Sequence, residues 1–252
     1  MTPSPASSRR LQIAGTDAID QALEAGDSLP VVLLRRDPET PEQALQLDAL
    51  EKRALAQGTH VIRTTENDLR RMSAEDPPNS ALGLLGPDPD MSLGDLLAEP
   101  GLCWLLHQPS YASNVGFAIR TAEVAGADGI VIDAPFSKSD REQALRVSMG
   151  AHRFFPVHWE TTENCLKAAR AKGRQIIAVE DVGGLAPWEL DLARPSLLLV
   201  GNERHGLPPA VLDGCDTIVR IPMCGFVPSY NLQGALAILT AEQLRQQTVR
   251  GG

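Results

Sequence analysis

Three segments of the chain place polar side chains and glycines directly after short apolar runs. The segments are residues 113–122, 201–207 and 221–231. They offer the side chains of Asn114, Arg120, Glu203, Ser229 and Asn231. Amide, guanidinium, carboxylate and hydroxyl groups are those that orient substrates or assist proton movement. Loops that follow parallel strands and lead into helices present unpaired backbone groups, so these segments are the candidates for a ligand-binding or catalytic site.

Each feature also has an ordinary structural interpretation when it is taken alone. Asn114 suits a helix N-cap, and a lone arginine such as Arg120 is by default a solvated surface residue. Segment 221–231 is compatible with a plain connection between a strand and a helix. The chain has no GxGxxG and no GxxxxGK[ST], and Ser229 lacks a GxSxG context. A Rossmann dinucleotide site, a P-loop and a hydrolase triad therefore have no support.

The elements that must position these segments alternate between strand and helix. Apolar runs predict strands at 103–107, 129–133, 154–158, 175–180, 196–200 and 217–221, and helical spacing predicts helices at 114–125, 139–148, 162–172, 208–212 and 232–246. This alternation predicts an α/β unit with a mainly parallel sheet covered by helices on both faces. Gly201 and Ile221 are expected to end neighbouring elements, so that their loops face one cleft.

A smaller α/β unit is predicted ahead of this one. Its strands are expected at 31–34, 60–63 and 81–86, and its helices at 18–25, 42–57 and 66–72. The predicted organisation is a disordered tail at 1–10, the small unit at 11–86, a linker rich in proline, glycine and acids at 87–101, and the larger unit at 102–252.

Composition limits the possible partners. The chain has 252 residues, 43% of them hydrophobic, and a net charge of −9. Residues 1–100 hold 9 basic and 17 acidic side chains, and residues 101–252 hold 14 and 15, so most of the negative charge lies in the first part. Nucleic-acid contact would need a local basic patch. Arg35–Arg36, Arg63 and Arg70–Arg71 are candidates in the small unit, although solvated surface charge explains each of them equally well.

Membrane, secreted and metal-dependent classes lack sequence support. No apolar run approaches the roughly 18 residues of a membrane span, and no apolar segment follows Arg9–Arg10 as in a secretory signal. Four cysteines without a CxxC indicate reduced thiols and a cytoplasmic setting. Five histidines without paired spacing predict no metal site.

The three segments together resemble the three motifs of a known family. NxGxxxRTA, then LLLVGNExxGL, then IPM…SxN occur in that order, each after a predicted strand, over about residues 102–246. This order is similar to the SpoU (TrmH-like) RNA 2′-O-ribose methyltransferases of the SPOUT superfamily. Residues 13–86, beginning GTDAIDQAL at Gly15, resemble the L30e-like substrate-binding domain of several members.

The resemblance implies a fold, a cofactor and partners. The expected fold is an α/β sheet whose C-terminal segment forms a deep trefoil knot, one of the rare exceptions to unknotted chains. The implied cofactor is S-adenosylmethionine, bound in the knot largely by backbone groups of Gly201, Ile221 and Tyr230. The implied partners are rRNA or tRNA and a second copy of the chain, in a homodimer formed through the knotted domain. No metal or membrane is implied.

The resemblance also assigns catalytic roles. Arg120 would be the central side chain, with Asn114 shaping the loop or contacting substrate, and Glu203, Ser229 and Asn231 positioning Arg120 and organising the knot. An arginine side chain holds its proton too tightly to be an easy general base. Orienting the RNA phosphate and the ribose hydroxyl is therefore the favoured role for Arg120.

Three positions depart from the family pattern. Tyr230 stands where leucine is frequent, Gln233 where serine is common, and Phe117 where a small residue is usual.

Two alternative functions remain open. One alternative is a catalytically idle RNA-binding or ribosome-assembly protein that kept the fold. Another is a methyltransferase for a protein or a small molecule, which suits the acidic charge but has no motif behind it.

Overall fold

A computed structural model describes residues 12–73, 75–227 and 229–251, which form two compact units, one ending at Asp88 and the other beginning at Pro89. The tail predicted at 1–10 lies outside the described residues. In the described part no helix is long and apolar enough to cross a bilayer.

The first unit is a four-stranded mixed sheet with three helices. Its elements are β1 (Gln12–Ala14), α1 (Thr16–Ala25), β2 (Val31–Arg35), α2 (Pro41–Ala56), β3 (His60–Thr64), α3 (Glu66–Met72) and β4 (Ala81–Leu84). The strand order is β1-β4-β2-β3, with β2 and β3 parallel and the other pairs antiparallel. The predicted strands and helices of this unit are confirmed, whereas the short β1 was not predicted because three residues carry little pattern.

The second unit is a six-stranded, fully parallel sheet. Its elements are α4 (Leu93–Leu96), β5 (Leu102–His107), α5 (Ala112–Val124), β6 (Gly129–Asp133), α6 (Lys138–Val147), β7 (Val157–Trp159), α7 (Thr162–Ala171), β8 (Gln175–Val179), β9 (Ser196–Val200), α8 (Pro209–Leu212), β10 (Thr217–Val219) and α9 (Leu232–Gly251). The strand order is β10-β8-β9-β5-β6-β7. The predicted parallel sheet is confirmed.

Both faces of this sheet are buried, because alternate residues of its central strands enter different cores. Trp104 and Leu106 pack with α5 and α9 on one face, and Cys103 and Leu105 pack with α4 and α7 on the other. The strands therefore read as continuous apolar runs, as expected for a parallel sheet covered on both sides.

Most of the segment 87–101, predicted as a linker, belongs to the second unit, which begins at Pro89. Leu96 and Leu97 are fully buried in one of its cores. The guanidinium of Arg174 is buried and donates hydrogen bonds to the carbonyl oxygens of Leu97 (2.8 Å), Leu96 (3.2 Å) and Glu99 (2.5 Å). These bonds hold residues 96–99 against the edge of the sheet where β8 begins at Gln175.

Three predicted details of the second unit were wrong. The strand predicted at 154–158 is shorter and later, because β7 covers only Val157–Trp159. Strand β10 ends at Val219, so Ile221 lies in the following loop and not at the strand end. β9 and β10 are not neighbours either, because β8 lies between them and pairs with both. The crossover that carries the chain past β8 to the sheet edge has no signature in the apolar runs themselves.

Candidate functional site

A cavity of about 670 Å³ opens at the carboxyl ends of β8 and β9, beside the loop that follows β10. Seven of the eight predicted site residues line it: Asn114, Gly201, Glu203, Ile221, Ser229, Tyr230 and Asn231. The apolar part of the wall comes from Val179, Val200, Ile221, Leu232 and Ala235. The two loops expected to share a cleft therefore do so, although their strands are not adjacent. Such a cavity suits a small organic ligand with an apolar body and several polar groups.

Asn114 and Glu203 form the central polar contact. Asn114 Nδ2 donates to Glu203 Oε1 at 2.8 Å, and the Ser110 backbone N–H donates to Glu203 Oε2 at 2.8 Å. Partial burial acts to raise the pKa of the Glu203 carboxyl, but these hydrogen bonds outweigh it and hold the pKa below its usual value. The ionised carboxylate thus ties loop 201–207 to the start of α5.

The ordinary interpretation of Asn114, a helix N-cap, does not hold. Helix α5 begins at Ala112 with Tyr111 as the capping position, so Asn114 lies within the first turn. Its side chain is taken by a carboxylate 89 residues away in sequence. A pairing of that range leaves no local signal.

Loop 201–207 is a tight turn that requires glycine at two positions, Gly201 and Gly206. Gly206 N–H donates to the Asn202 carbonyl at 2.8 Å, with Asn202 N–H donating back at 3.2 Å. A Cβ at Gly201 would lie 2.2 Å from the Gly206 carbonyl carbon, so glycine is needed there by the close approach of the two backbone segments. The amide of Asn202 anchors the turn by donating to the Gln108 carbonyl at 2.6 Å.

Glu180 is a wall residue that sequence reasoning missed. It follows β8 directly and lines the cavity, and its Oε1 accepts a hydrogen bond from the Leu207 backbone N–H at 2.5 Å. Burial and the neighbouring Asp181 carboxylate raise the pKa of its carboxyl. The available signal was position: like Gly201 after β9, Glu180 is the first residue after an apolar strand of the parallel sheet.

The third loop positions the start of α9. Asn231 Oδ1 accepts from the Gly234 backbone N–H at 2.7 Å, which is N-cap geometry for a helix beginning at Leu232. The Tyr230 hydroxyl donates to the Pro222 carbonyl at 3.2 Å, bridging the two ends of the loop. Ser229 and Tyr230 are exposed at the cavity mouth, whereas Ile221 is 8% exposed and packs in the core.

Arg120 lies outside this cavity. It lines a separate groove of about 420 Å³ between α5 and α9 together with Phe117, Val124, Gln233 and Leu244. Six residues along a helix separate Asn114 and Arg120 by about 120° around the axis, so they face different sides of α5. Within the described residues Glu203 bonds Asn114 and Ser110, and no hydrogen bond or ion pair joins it or Asn231 to the exposed Arg120. The predicted positioning of Arg120 by these side chains is thus not seen as a direct contact.

The part of the chain that the structure describes contains no set of side chains arranged as metal ligands. No group of three or more His, Cys, Asp or Glu side chains is arranged to hold an ion there.

Comparisons with known proteins show which family and which solved structures this chain is similar to. The model of the SpoU rRNA Methylase family matches residues 101–241. An uncharacterized tRNA/rRNA methyltransferase of Mycobacterium sp. (strain KMS) is 33% identical over 198 residues, which is 75% of this chain and 63% of that protein. The chain thus spans less than two thirds of that relative's length.

Two solved structures match nearly the whole chain. One is an RNA 2′-O ribose methyltransferase, with a TM-score of 0.54, 26% identity and coverage of 96% of this chain and 90% of that one. The other is an AdoMet-bound rRNA methyltransferase from Sinorhizobium meliloti, with a TM-score of 0.58, 25% identity and coverage of 94% and 87%.

Proposed function

Because the chain belongs to the SpoU rRNA methylase family, we propose that it transfers a methyl group from S-adenosylmethionine to a ribose 2′-hydroxyl of rRNA or tRNA. The observation that carries the proposal is the cavity at the carboxyl ends of β8 and β9. It gathers residues of all three family motifs, which lie far apart in sequence, around one ligand-sized space.

S-adenosylmethionine is the cofactor, and the cavity fits it chemically. The apolar wall suits an adenine ring, and the backbone groups of loops 201–207 and 221–231 supply hydrogen-bond partners to the polar parts. Gly201, Ile221 and Tyr230 are the residues we assign to this binding. When bound, the cofactor supplies an electrophilic methyl carbon on a positively charged sulfur. The AdoMet-bound structure from Sinorhizobium meliloti supports the assignment.

We assign Arg120 to positioning the RNA that accepts the methyl group. A ribose hydroxyl is a weak nucleophile that loses its proton as it attacks. A guanidinium is a poor proton acceptor but is well suited to hold an RNA phosphate, which would fix the hydroxyl relative to the cavity. Asn114 and Glu203 hold the cofactor loop against α5, Asn231 caps α9, and Ser229 at the cavity mouth is available to the substrate.

A homodimer through the second unit is part of the proposal. The groove beside Arg120 carries exposed apolar side chains, with Val124 74% exposed and Phe117 44% exposed. A second copy covering this groove would bury them and bring another surface to Arg120. Light scattering of the purified protein tests this: a dimer that Val124→Glu converts to monomer is expected, and a wild-type monomer would contradict it.

The knot and the RNA-binding role of residues 11–86 are also proposed. The loop after β10 returns from the sheet edge to the cavity beside β9, as a threaded chain requires. An experimental electron-density trace through residues 201–231 tests the threading, which an unthreaded path would refute.

Deletion of residues 1–86 tests the RNA-binding role of the first unit. The deletion is expected to weaken RNA binding but keep cofactor binding, and unchanged RNA affinity would remove that domain from the proposal.

The activity is tested by transfer of tritiated methyl groups from the cofactor to RNA. We expect label in nucleosides whose 3′-phosphodiester bond resists alkali, the signature of a 2′-O-methyl group. Arg120→Ala is expected to lose transfer while keeping cofactor affinity, and Lys167→Ala, which removes an exposed positive charge on α7, to behave as wild type. Label in a base would contradict the ribose assignment. Cofactor binding without transfer to any RNA would favour the idle RNA-binding protein.

A further inference from the structure

Glu180 supplies a negative charge to the cavity wall that no described cation neutralises. One carboxylate oxygen holds the Leu207 backbone N–H, and the backbone N–H of Asp181 adds a second stabilising contact. The ion pairs of the described residues do not include Glu180. A partly buried carboxylate without a cation is costly unless a ligand or solvent completes its surroundings.

Loop 201–207 leaves space for the Glu180 carboxylate at Gly206. Gly206 has a φ of +64°, and a Cβ there would lie 2.6 Å from Glu180 Oε1. Glycine at position 206 therefore serves two needs, the left-handed backbone and the space that the carboxylate fills. A purely structural cap for Leu207 N–H needs only a neutral acceptor, so the charge itself is left without a structural use.

The charged side chains around the cavity are unbalanced. Besides His205, they are Glu180, Asp181, Glu203 and Arg204, which is three carboxylates against one guanidinium. Glu203 is compensated by two hydrogen bonds, and Arg204 donates to the Tyr111 hydroxyl at 3.0 Å. Asp181 is exposed to solvent, which screens its charge. Glu180 is therefore the partly buried carboxylate of the cavity whose charge is not compensated.

We propose that Glu180 is a specificity-determining residue that makes the cavity prefer the positively charged sulfonium cofactor over the neutral thioether product. S-adenosylhomocysteine carries one positive charge less than S-adenosylmethionine, because the sulfur becomes neutral when the methyl group leaves. A negative charge at the wall near the sulfur stabilises the sulfonium, which only S-adenosylmethionine carries, and so favours exchange of spent for fresh cofactor. The inference rests on the proposed function, since it requires S-adenosylmethionine in this cavity.

The test is calorimetric binding of three ligands to the full-length protein and to Glu180→Gln. The ligands are S-adenosylmethionine, S-adenosylhomocysteine and sinefungin, an analogue with a protonated amine in place of the methyl sulfonium. Glutamine keeps the shape of the side chain and an oxygen for the Leu207 N–H, and removes the charge. We expect the two cationic ligands to bind about tenfold more weakly, a change of ~1.4 kcal/mol, and the thioether to bind within about twofold of wild type.

The control is Glu163→Gln, which changes the net charge equally at an exposed position on α7 away from the cavity. It is expected to leave all three affinities unchanged. Equal weakening of all three ligands by Glu180→Gln would overturn the proposal, because Glu180 would then act on the shared part or on the loop, and so would no weakening at all. A wild-type protein that binds none of the three ligands would refute the proposed function itself, an outcome distinct from a failure of charge discrimination in a protein that binds them.

Discussion

The hydrogen bond from Asn114 to Glu203 separates two roles that the sequence left open for Asn114. If its main task is to brace loop 201–207, then removing the amide must destabilise the second unit and weaken cofactor binding together. Asn114→Ala deletes a 2.8 Å bond to an ionised carboxylate and leaves Glu203 with the Ser110 backbone N–H. A substrate-contacting amide would instead affect transfer to RNA and leave stability unchanged.

The size of the effect follows from the surroundings of the pair. A hydrogen bond to a charged group contributes about 1.5–3 kcal/mol when buried. Both side chains are half-buried, so water replaces part of what is lost and the expected cost is about 1–2 kcal/mol. For a unit of this size that corresponds to a melting temperature lower by about 3–6 °C.

A double-mutant cycle isolates the bond. Unfolding free energies of Asn114→Ala, Glu203→Ala and the double variant are expected to give a coupling of about 1 kcal/mol. Asn164→Ala is the matched control, because its amide bonds the Glu160 carboxylate at 3.0 Å on an exposed surface and should change stability by less than about 0.5 kcal/mol. A coupling near zero, with transfer to RNA abolished, would refute the brace and make Asn114 a substrate contact.

Three further outcomes are expected. Arg174→Met leaves several buried carbonyls without a donor and should cost about 3–5 kcal/mol; calorimetric melting within 2 °C of wild type would contradict this. Gly116→Ala brings a Cβ to 2.4 Å from the Ala144 carbonyl oxygen, between α5 and α6. It should lower the free energy of unfolding, measured by urea denaturation, by about 1–3 kcal/mol. The folded pKa of Glu203 is lowered, so its stabilisation is present above the ordinary glutamate pKa and is lost as pH falls through the folded value. The stability difference from Glu203→Gln should therefore shrink in acid, and a pH-independent difference would count against the assignment.

The sheet could be predicted from sequence because its strands are buried on both faces. Runs such as Ser196–Val200 carry an apolar residue at nearly every position, and glycines follow the helices that separate them. Strand order could not be predicted in the same way. The crossing of β10 past β8 is decided by the packing of the finished sheet, which short apolar runs do not encode.

The ion pairs of the first unit could not be predicted from the sequence either. Arg35 bonds Glu39 and Glu66, and Arg63 bonds Asp48 and Glu51. Most of these partners come from other elements, so spacing alone does not reveal them. Surface pairs of this kind contribute little stability, but an RNA phosphate would have to compete with carboxylates already in place. Any RNA contact by Arg35 or Arg63 therefore starts from a partly neutralised surface.

The placement of Arg120 bears on how cofactor and acceptor would meet in the proposed reaction. Helix α5 presents Asn114 to the cavity and Arg120 to the groove, and α9 presents Leu232 to the cavity and Gln233 to the groove. The two helices therefore carry both surfaces, and a change in their packing acts on both. Within the described residues Arg120 has no hydrogen bond that fixes its guanidinium, whereas Glu203 in the cavity is held by two. The polar contacts of the cavity are thus fixed by the chain itself, whereas the proposed function requires an RNA phosphate or a second copy of the protein over the groove to orient Arg120.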